Sequence, residues 1–413
     1  MRKSAIRCQL TRPTLVLLGL VLIVTWLFTA CASNPTTSNA SRTPSASTGS
    51  SPAASATSPS HTGGAEPSPL VVGSTDHFLY ALDAATGNTL WTFQTGDKVS
   101  AQPVTASGLV YAGSEDHSVY AVSASAGKLL WKKVVGWYPF LSPVVAGSLY
   151  VGTADNVLAL RAADGSTLWS YTLHSAGTPV VADGVVYVDG LYIGESTLVA
   201  LNAADGSVRW RHGFGDYTVV GLGYTPVISD GMVFITDSAG VYALDPADGS
   251  IRWHVKLLTT VPGLSPLTVQ SNIIYVSGGN VASDIHLYAL RSTDGSKLWE
   301  VRTDGYASRP SVASGVIYLA EKLYPGTNGT DTFAYALSAA NGSTLWRAPL
   351  GTAVNLVTNP AAFAAPLVEG GIVVVGSDDS NLYGIGVTNG SIRWRANVNG
   401  VTTTPTPLLT SPS

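Results

Sequence analysis

Cysteine is almost missing from this chain: two occur in 413 residues, Cys8 and Cys31. Beyond residue 31 there is no thiol, so no disulfide can form there. A core of several hundred residues does not need one, in contrast to small secreted domains. Histidine is sparse as well, and His61, His77, His117, His174, His212, His254 and His286 fall one to a segment, without the close spacing of a zinc site. Basic residues are outnumbered, 22 Lys and Arg against 26 Asp and Glu, and Arg2, Lys3, Arg7 and Arg12 lie at the very start of the chain. The remainder is more acidic than the overall net charge of −4 suggests, which argues against nucleic acid or an anionic lipid surface as a partner.

What is present is a repeat. Eight of the ten tryptophans follow a glycine by four residues: Gly87/Trp91, Gly127/Trp131, Gly165/Trp169, Gly206/Trp210, Gly249/Trp253, Gly295/Trp299, Gly342/Trp346 and Gly390/Trp394. Successive tryptophans lie 38 to 48 residues apart, a period that fits the blades of a propeller. Ten residues upstream of each tryptophan stands a small residue, from Ala81 to Gly384, followed by an aliphatic one. Runs such as Leu79-Tyr80-Ala81-Leu82 read as strands, and the Asp-Gly, Asn-Gly or Thr-Gly pairs after them read as tight hairpins. Two more strands precede each hairpin, the first a Pro-apolar segment such as Pro143-Val144-Val145 or Pro179-Val180-Val181. Each unit therefore carries four antiparallel strands, A to D in chain order, with the tryptophan on D. The near-continuous apolar strands imply that both faces of each small sheet are covered, as radial packing of neighbours would do.

Ala81-Leu82-Asp83-Ala84-Ala85-Thr86-Gly87-Asn88-Thr89-Leu90-Trp91 resembles the tryptophan-docking motif of the pyrroloquinoline-quinone (PQQ) repeat family of eight-bladed propellers. The motif's third-position aspartate is kept in Asp83 and Asp245 only. The resemblance implies an all-β, eight-bladed β-propeller over residues 70–409, each indole packing on an adjacent blade. Its first unit begins at strand B, with Leu70-Val71-Val72-Gly73. Thr404 to Leu409, after the eighth tryptophan, supplies a strand of the missing type, so the ring is expected to close by pairing this C-terminal strand into blade one, leaving 410–413 as a tail.

Residues 1–30 carry a basic start, the apolar run Leu15 to Phe28 and then Thr29-Ala30, which reads as a secretory signal. Phe28-Thr29-Ala30-Cys31 looks like a bacterial lipobox, implying lipidation at Cys31. Residues 31–69 are almost all Ser, Thr, Ala, Pro, Asn and Gly and read as a disordered tether. Both features place the globular part outside the cytoplasmic membrane, held to it by lipid.

Connections A–B and C–D stay short, whereas insertions fall in B–C (188–197, 277–286, 319–332) and D–A (135–141, 213–224, 349–366). In an antiparallel sheet these two sets emerge at one end. Trp137, Tyr138, Phe140, Tyr192, Tyr217, Tyr306 and Tyr324 lie in or beside them and form the candidate binding face. The plainer reading is that these rings only cover the blade ends.

Two functions follow. The first is a non-catalytic, monomeric scaffold, similar in outline to outer-membrane assembly lipoproteins of the BamB type, binding a protein or another extracytoplasmic ligand and needing no cofactor. The alternative is a quinoprotein oxidoreductase acting on an alcohol or sugar with PQQ or calcium. The resemblance implies that such an enzyme would carry a vicinal cysteine pair, a calcium held by acidic and amide side chains, and an aspartate base. No such cysteine pair occurs. Asp76, Asp116, Asp155 and Asp378-Asp379 lack a calcium-loop pattern and read as hairpin corners, with His77 and His117 sharing one repeat position beside them.

Overall fold

The computed structural model describes residues 69–142, 144–214, 225–237, 240–258, 263–281, 284–323, 331–352, 364–377, 379–400 and 403–408. The signal segment, Cys31, the tether through residue 68, Tyr217, Tyr324, Asp378 and the tail lie outside them. The described residues form eight antiparallel sheets, each a blade with strands in the order A-B-C-D. No helix among them is long and apolar enough to cross a membrane.

Blade 2 shows how sequence sets the layers: A is Val104–Ala106, B is Leu109–Ser114, C is Ser118–Ser123 and D is Leu129–Val134. Strands B and C are buried almost throughout, while D alternates between exposed and partly buried positions at the sheet's outer edge. The A strands of neighbouring blades lie against one another, which puts A innermost. Apolar cores sit between blades rather than within them. Tyr150, Val157, Ala159 and Trp169 of blade 3, for example, pack with Val186, Val188, Val199 and Leu201 of blade 4. Eight such clusters serve eight interfaces, and the cluster that joins Leu70, Val72 and Leu82 to Ile372, Val374 and Leu382 brings the last blade against the first. There Leu70 pairs with Pro407 and Val71 with Thr406, so that Thr406–Pro407 forms the fourth strand of blade 1.

The tryptophans tie each interface. In every blade the C–D register shifts at the small residue of the repeat, as between Ala81 and Leu82, a bulge that re-aims the side chain which follows. Each indole Nε1–H then donates to a carbonyl of the next blade: Trp91 to Ala124 at 2.8 Å, Trp131 to Ala162 at 3.0 Å, Trp169 to Ala203 at 2.9 Å and Trp210 to Pro246 at 2.8 Å. Trp253 reaches Ser292 at 3.0 Å, Trp299 Ala339 at 3.1 Å and Trp346 Val387 at 2.8 Å, and Trp394 returns to Ala84 at 2.9 Å. The glycine under each ring belongs to the following repeat: a Cβ on Gly127 would stand 2.6 Å from Trp91 Cε3. That glycine also has φ +62°, so it is required twice over, for the turn and for the close approach.

Three details depart from the sequence reading. In blade 3 the innermost strand is Phe140–Leu141, Pro143 lies outside the described residues, and Val145 makes only an isolated bridge to Ser148. In blades 6 and 7 strand A is split into two pieces, Gly263–Leu264 with Thr268–Gln270, and Gly305–Ala307 with Ser311–Ala313. Pro266 and Pro310 lie in the gaps, where proline has no N–H to give the ladder. Hydroxyls compensate across the blades: Thr268 Oγ1 donates to Pro310 O at 2.6 Å, Ser311 Oγ to Pro366 O at 2.5 Å and Thr406 Oγ1 to Pro103 O at 2.8 Å.

One buried position breaks the repeat. Two residues after the strand-B aromatic most blades have a small residue, such as Gly113, Gly152, Ser277 or Ala320, but blade 4 has Asp189. It is 5% exposed and its Oδ1 has no hydrogen-bond partner among the described residues. Burial pushes its pKa up to about 8.

Two predictions follow from this packing. Gly127→Ala and Gly184→Ala both force a side chain onto a left-handed backbone, but only Gly127 lies under an indole, since nothing stands within 4 Å of a Cβ on Gly184. Chemical denaturation should show a loss of about 1 kcal/mol for Gly184→Ala and about 3 kcal/mol for Gly127→Ala, and equal losses would refute the role given to the ring. Asp189 keeps its proton in the folded state to about pH 8, whereas in the unfolded chain it ionises near ~4. Its contribution is therefore undiminished below ~4 and declines as pH rises towards 8. Asp189→Asn should raise the Tm relative to the parent protein progressively between pH 5 and pH 8, and a pH-independent difference would contradict the assignment.

Candidate functional site

The B–C and D–A connections share one end of the blades, and the described part of that end is built by cross-blade contacts. The backbone N–H of Ala154, in B–C of blade 3, donates to Trp137 O at 2.9 Å. The Trp137 ring lies edge-on to His117, from B–C of blade 2, with centroids 3.8 Å apart. His117 has φ +69° and His77 φ +77°, so the shared histidine position is a left-handed turn residue following an aspartate that bonds the backbone N–H two residues on. Further round, His174 and Leu191 exchange a bridge that clips the D–A connection entering blade 4 to that blade's own B–C hairpin.

Of the seven aromatic candidates, Tyr217 and Tyr324 lie outside the described residues, and the others sit in different settings. Trp137 and Tyr138 are 56% and 43% exposed although Trp137 is tied in place, and Tyr138 has φ +52°. Ile193, at the tip of the Tyr192 hairpin, is 86% exposed. Tyr192 itself is partly buried beneath the Arg211 guanidinium, 4.4 Å from its ring centre, and serves packing. Phe140 sits in an innermost strand, and Tyr306 lies in the short strand Gly305–Ala307, paired with Lys322. That strand is anchored by Glu321, whose Oε1 accepts from the Gly305 N–H. Burial pushes the Glu321 pKa up to about 7, against the pull of that N–H.

One cavity of about 590 Å³ lies between blades 5 and 6, lined by Lys256, Asp284, His286 and Glu300 among others, and another concave feature is the channel along the propeller axis. A cavity of about 510 Å³ is lined by residues of the strand-A regions, among them Gln102, Thr225, Pro266, Arg309, Pro366 and Thr404. A second, of about 360 Å³, shares Gln102, Thr225 and Arg309 with it. Arg309 is the one charged residue lining either. Sequence reading missed Arg309, Asp189 and Glu321. Aligning the repeats column by column, rather than for their shared residues, would have found Arg309 and Asp189, each a charge in a column otherwise neutral, and Glu321, whose column holds one other acid, Asp237.

Neither axial cavity fits a quinone cofactor. Among the described residues, their linings hold no aromatic face to stack on a flat ring and no acid to hold a calcium ion. No group of three or more His, Cys, Asp or Glu suited to a metal occurs among the described residues. The Asp-rich corners are committed locally, Asp76 to the Tyr80 hydroxyl at 2.5 Å and Asp379 to that of Tyr383 at 2.6 Å.

Comparison with known proteins gives the lineage. The family model described as outer membrane protein assembly factor BamB matches residues 41–137, 133–220 and 194–408. Among curated proteins, the serine/threonine-protein kinase AfsK of Streptomyces griseus is 27% identical over 56% of this chain and 32% of its own length. BamB of Moranella endobia (strain PCIT) is 24% identical over 60% of this chain and 62% of its own. The chain thus spans less than two thirds of either relative. The crystal structure of BamB from Moraxella catarrhalis superposes with a TM-score of 0.58 at 16% identity, covering 76% of this chain and 93% of that one. A quinohemoprotein alcohol dehydrogenase from Comamonas testosteroni gives 0.60 at 14% identity, covering 84% and 74%. At such identities the two structures share the fold and nothing finer. Because the family model matches most of the sequence, this eight-bladed, PQQ-repeat propeller belongs to the BamB family of outer membrane protein assembly factors.

Proposed function

We propose that this protein is a non-catalytic scaffold which holds a protein partner at the loop-rich end of its propeller and serves assembly of outer-membrane proteins. The observation that carries this reading is the exposed Trp137–Tyr138 pair, in which Trp137 is fixed by His117 and Ala154 and Tyr138 lies beside it. Large aromatics held rigid before binding lose little entropy when covered, and such residues dominate interfaces. Kinship with BamB supports a protein rather than a small molecule as the partner, and the chemistry of the channel gives no support to the oxidoreductase alternative. Residues 1–30 direct export, Cys31 takes the lipid, and residues 32–69 are a leash with an end-to-end distance on the order of 35 Å. The propeller is a monomer on this reading and works outside the cytoplasmic membrane.

A photo-crosslinking amino acid at position 137, used on whole cells and followed by mass spectrometry, should recover a reproducible envelope protein. The same probe at Leu130, 57% exposed on an outer strand, should not. In Tyr138→Ala the yield should fall about tenfold, in keeping with loss of an interface anchor. Equal capture at both positions, or capture only at Leu130, would remove the loop end as the binding face. For the anchor, labelling with a fatty-acid analogue should be lost in Cys31→Ser, and normal labelling of that variant would disprove lipidation at this residue.

A further inference from the structure

Arg309 immediately precedes the proline of its strand A. The residues at the same step in the other blades are Gln102, Ser142, Thr178, Thr225, Ser265, Ala365 and Thr404, all uncharged. Blade 7 thus places a full positive charge at the axis, where the repeat elsewhere uses neutral side chains. The Arg309 Nε–H donates to Thr268 Oγ1 at 3.2 Å, a hydroxyl already committed to the Pro310 carbonyl. Among the described residues no carboxylate pairs with the guanidinium and no acid lines the cavities it faces. Other arginines of the fold are treated differently: Arg252 pairs with Asp245 and Arg395 with Asp379, all in blade outer parts. Burial holds the Arg309 pKa below its ordinary value, the direction expected for a cation whose charge its surroundings leave uncompensated. A guanidinium nevertheless stays protonated in a protein.

We propose that the central channel binds a small anionic ligand, one carboxylate or phosphate group of which seats on the Nη edge of Arg309, with Gln102, Thr225 and Thr404 around it. The planar fork of a guanidinium matches either group with two parallel hydrogen bonds. A cavity of about 510 Å³ is of the size that encloses a metabolite. Because the chain as a whole is acidic, attraction of an anion is local to the channel, and binding weakens as salt rises. Neither Trp137 nor Tyr138 lines this cavity, so its fate does not depend on that reading.

Isothermal titration calorimetry on the full-length protein in detergent, with succinate and with inorganic phosphate, tests the site. Saturable binding of at least one probe is expected, weakened about tenfold or more in Arg309→Gln and less in Arg309→Lys. Binding of succinate alone assigns a carboxylate ligand, and binding of phosphate alone a phosphorylated one. Near-ultraviolet circular dichroism establishes that Arg309→Gln is folded. Should it not fold, Thr268→Val, which frees the guanidinium from its one tether, should still change the affinity severalfold. Absence of saturable binding to the parent protein, or parent-like binding by Arg309→Gln or, failing that, Thr268→Val, overturns the proposal.

Discussion

The whole ring rests on one contact made eight times: an indole of one blade lying on a glycine of the next, its N–H donating to the carbonyl three residues before that glycine. The arrangement solves two problems at once. A tryptophan buries more apolar surface than any other side chain, but its N–H must find an acceptor when it does so. The hairpin of the neighbouring repeat offers both, a bare Cα to lie on and a carbonyl directed outward from the turn. Since donor and acceptor always sit in different blades, no blade is complete alone. The last contact, from Trp394 to Ala84, makes the chain's two ends mutually dependent in the same way as any other pair of neighbours.

This explains what could be read beforehand. Number of blades, strand order and the outer position of the tryptophan strand were legible because each is written eight times, so local ambiguity in one copy is resolved by the rest. The identity of the partner was not: Gly127 and Trp131 stand four apart in sequence, yet the ring over Gly127 is Trp91. Spacing within a repeat reports the turn, whereas packing is set between repeats. The split innermost strands of blades 6 and 7 were also hidden, because a Pro-apolar segment looks the same whether proline begins a strand or interrupts it. Among the loop aromatics, composition could not separate Trp137, which stays open, from Tyr192, which lies beneath Arg211. That difference depends on a residue of another strand, beyond reach of any local pattern.

A repeat protein separates stability from function by position. The strand columns that recur are occupied by whatever the interface needs, and any copy that departs from them pays a local cost in stability. Asp189 and Arg309 depart in this sense, each a charge placed where sibling blades have a small or neutral residue. Such exceptions are more informative than the consensus, because the consensus is already accounted for by the ring.

The two exceptions differ in kind, and their chemistry separates them. Asp189 escapes its penalty by keeping a proton, so at neutral pH it adds a polar but uncharged group to the interior. Arg309 has no such exit, since a guanidinium cannot discharge near neutral pH. A buried carboxyl can therefore be tolerated as an internal oddity of one blade, whereas an arginine on the axis keeps its charge and offers it to the channel that it lines. The axis is also where all eight blades converge, so a ligand there would touch several innermost strands simultaneously. Those strands are the least regular of the sheets, interrupted by proline and joined by hydroxyl-to-carbonyl bonds.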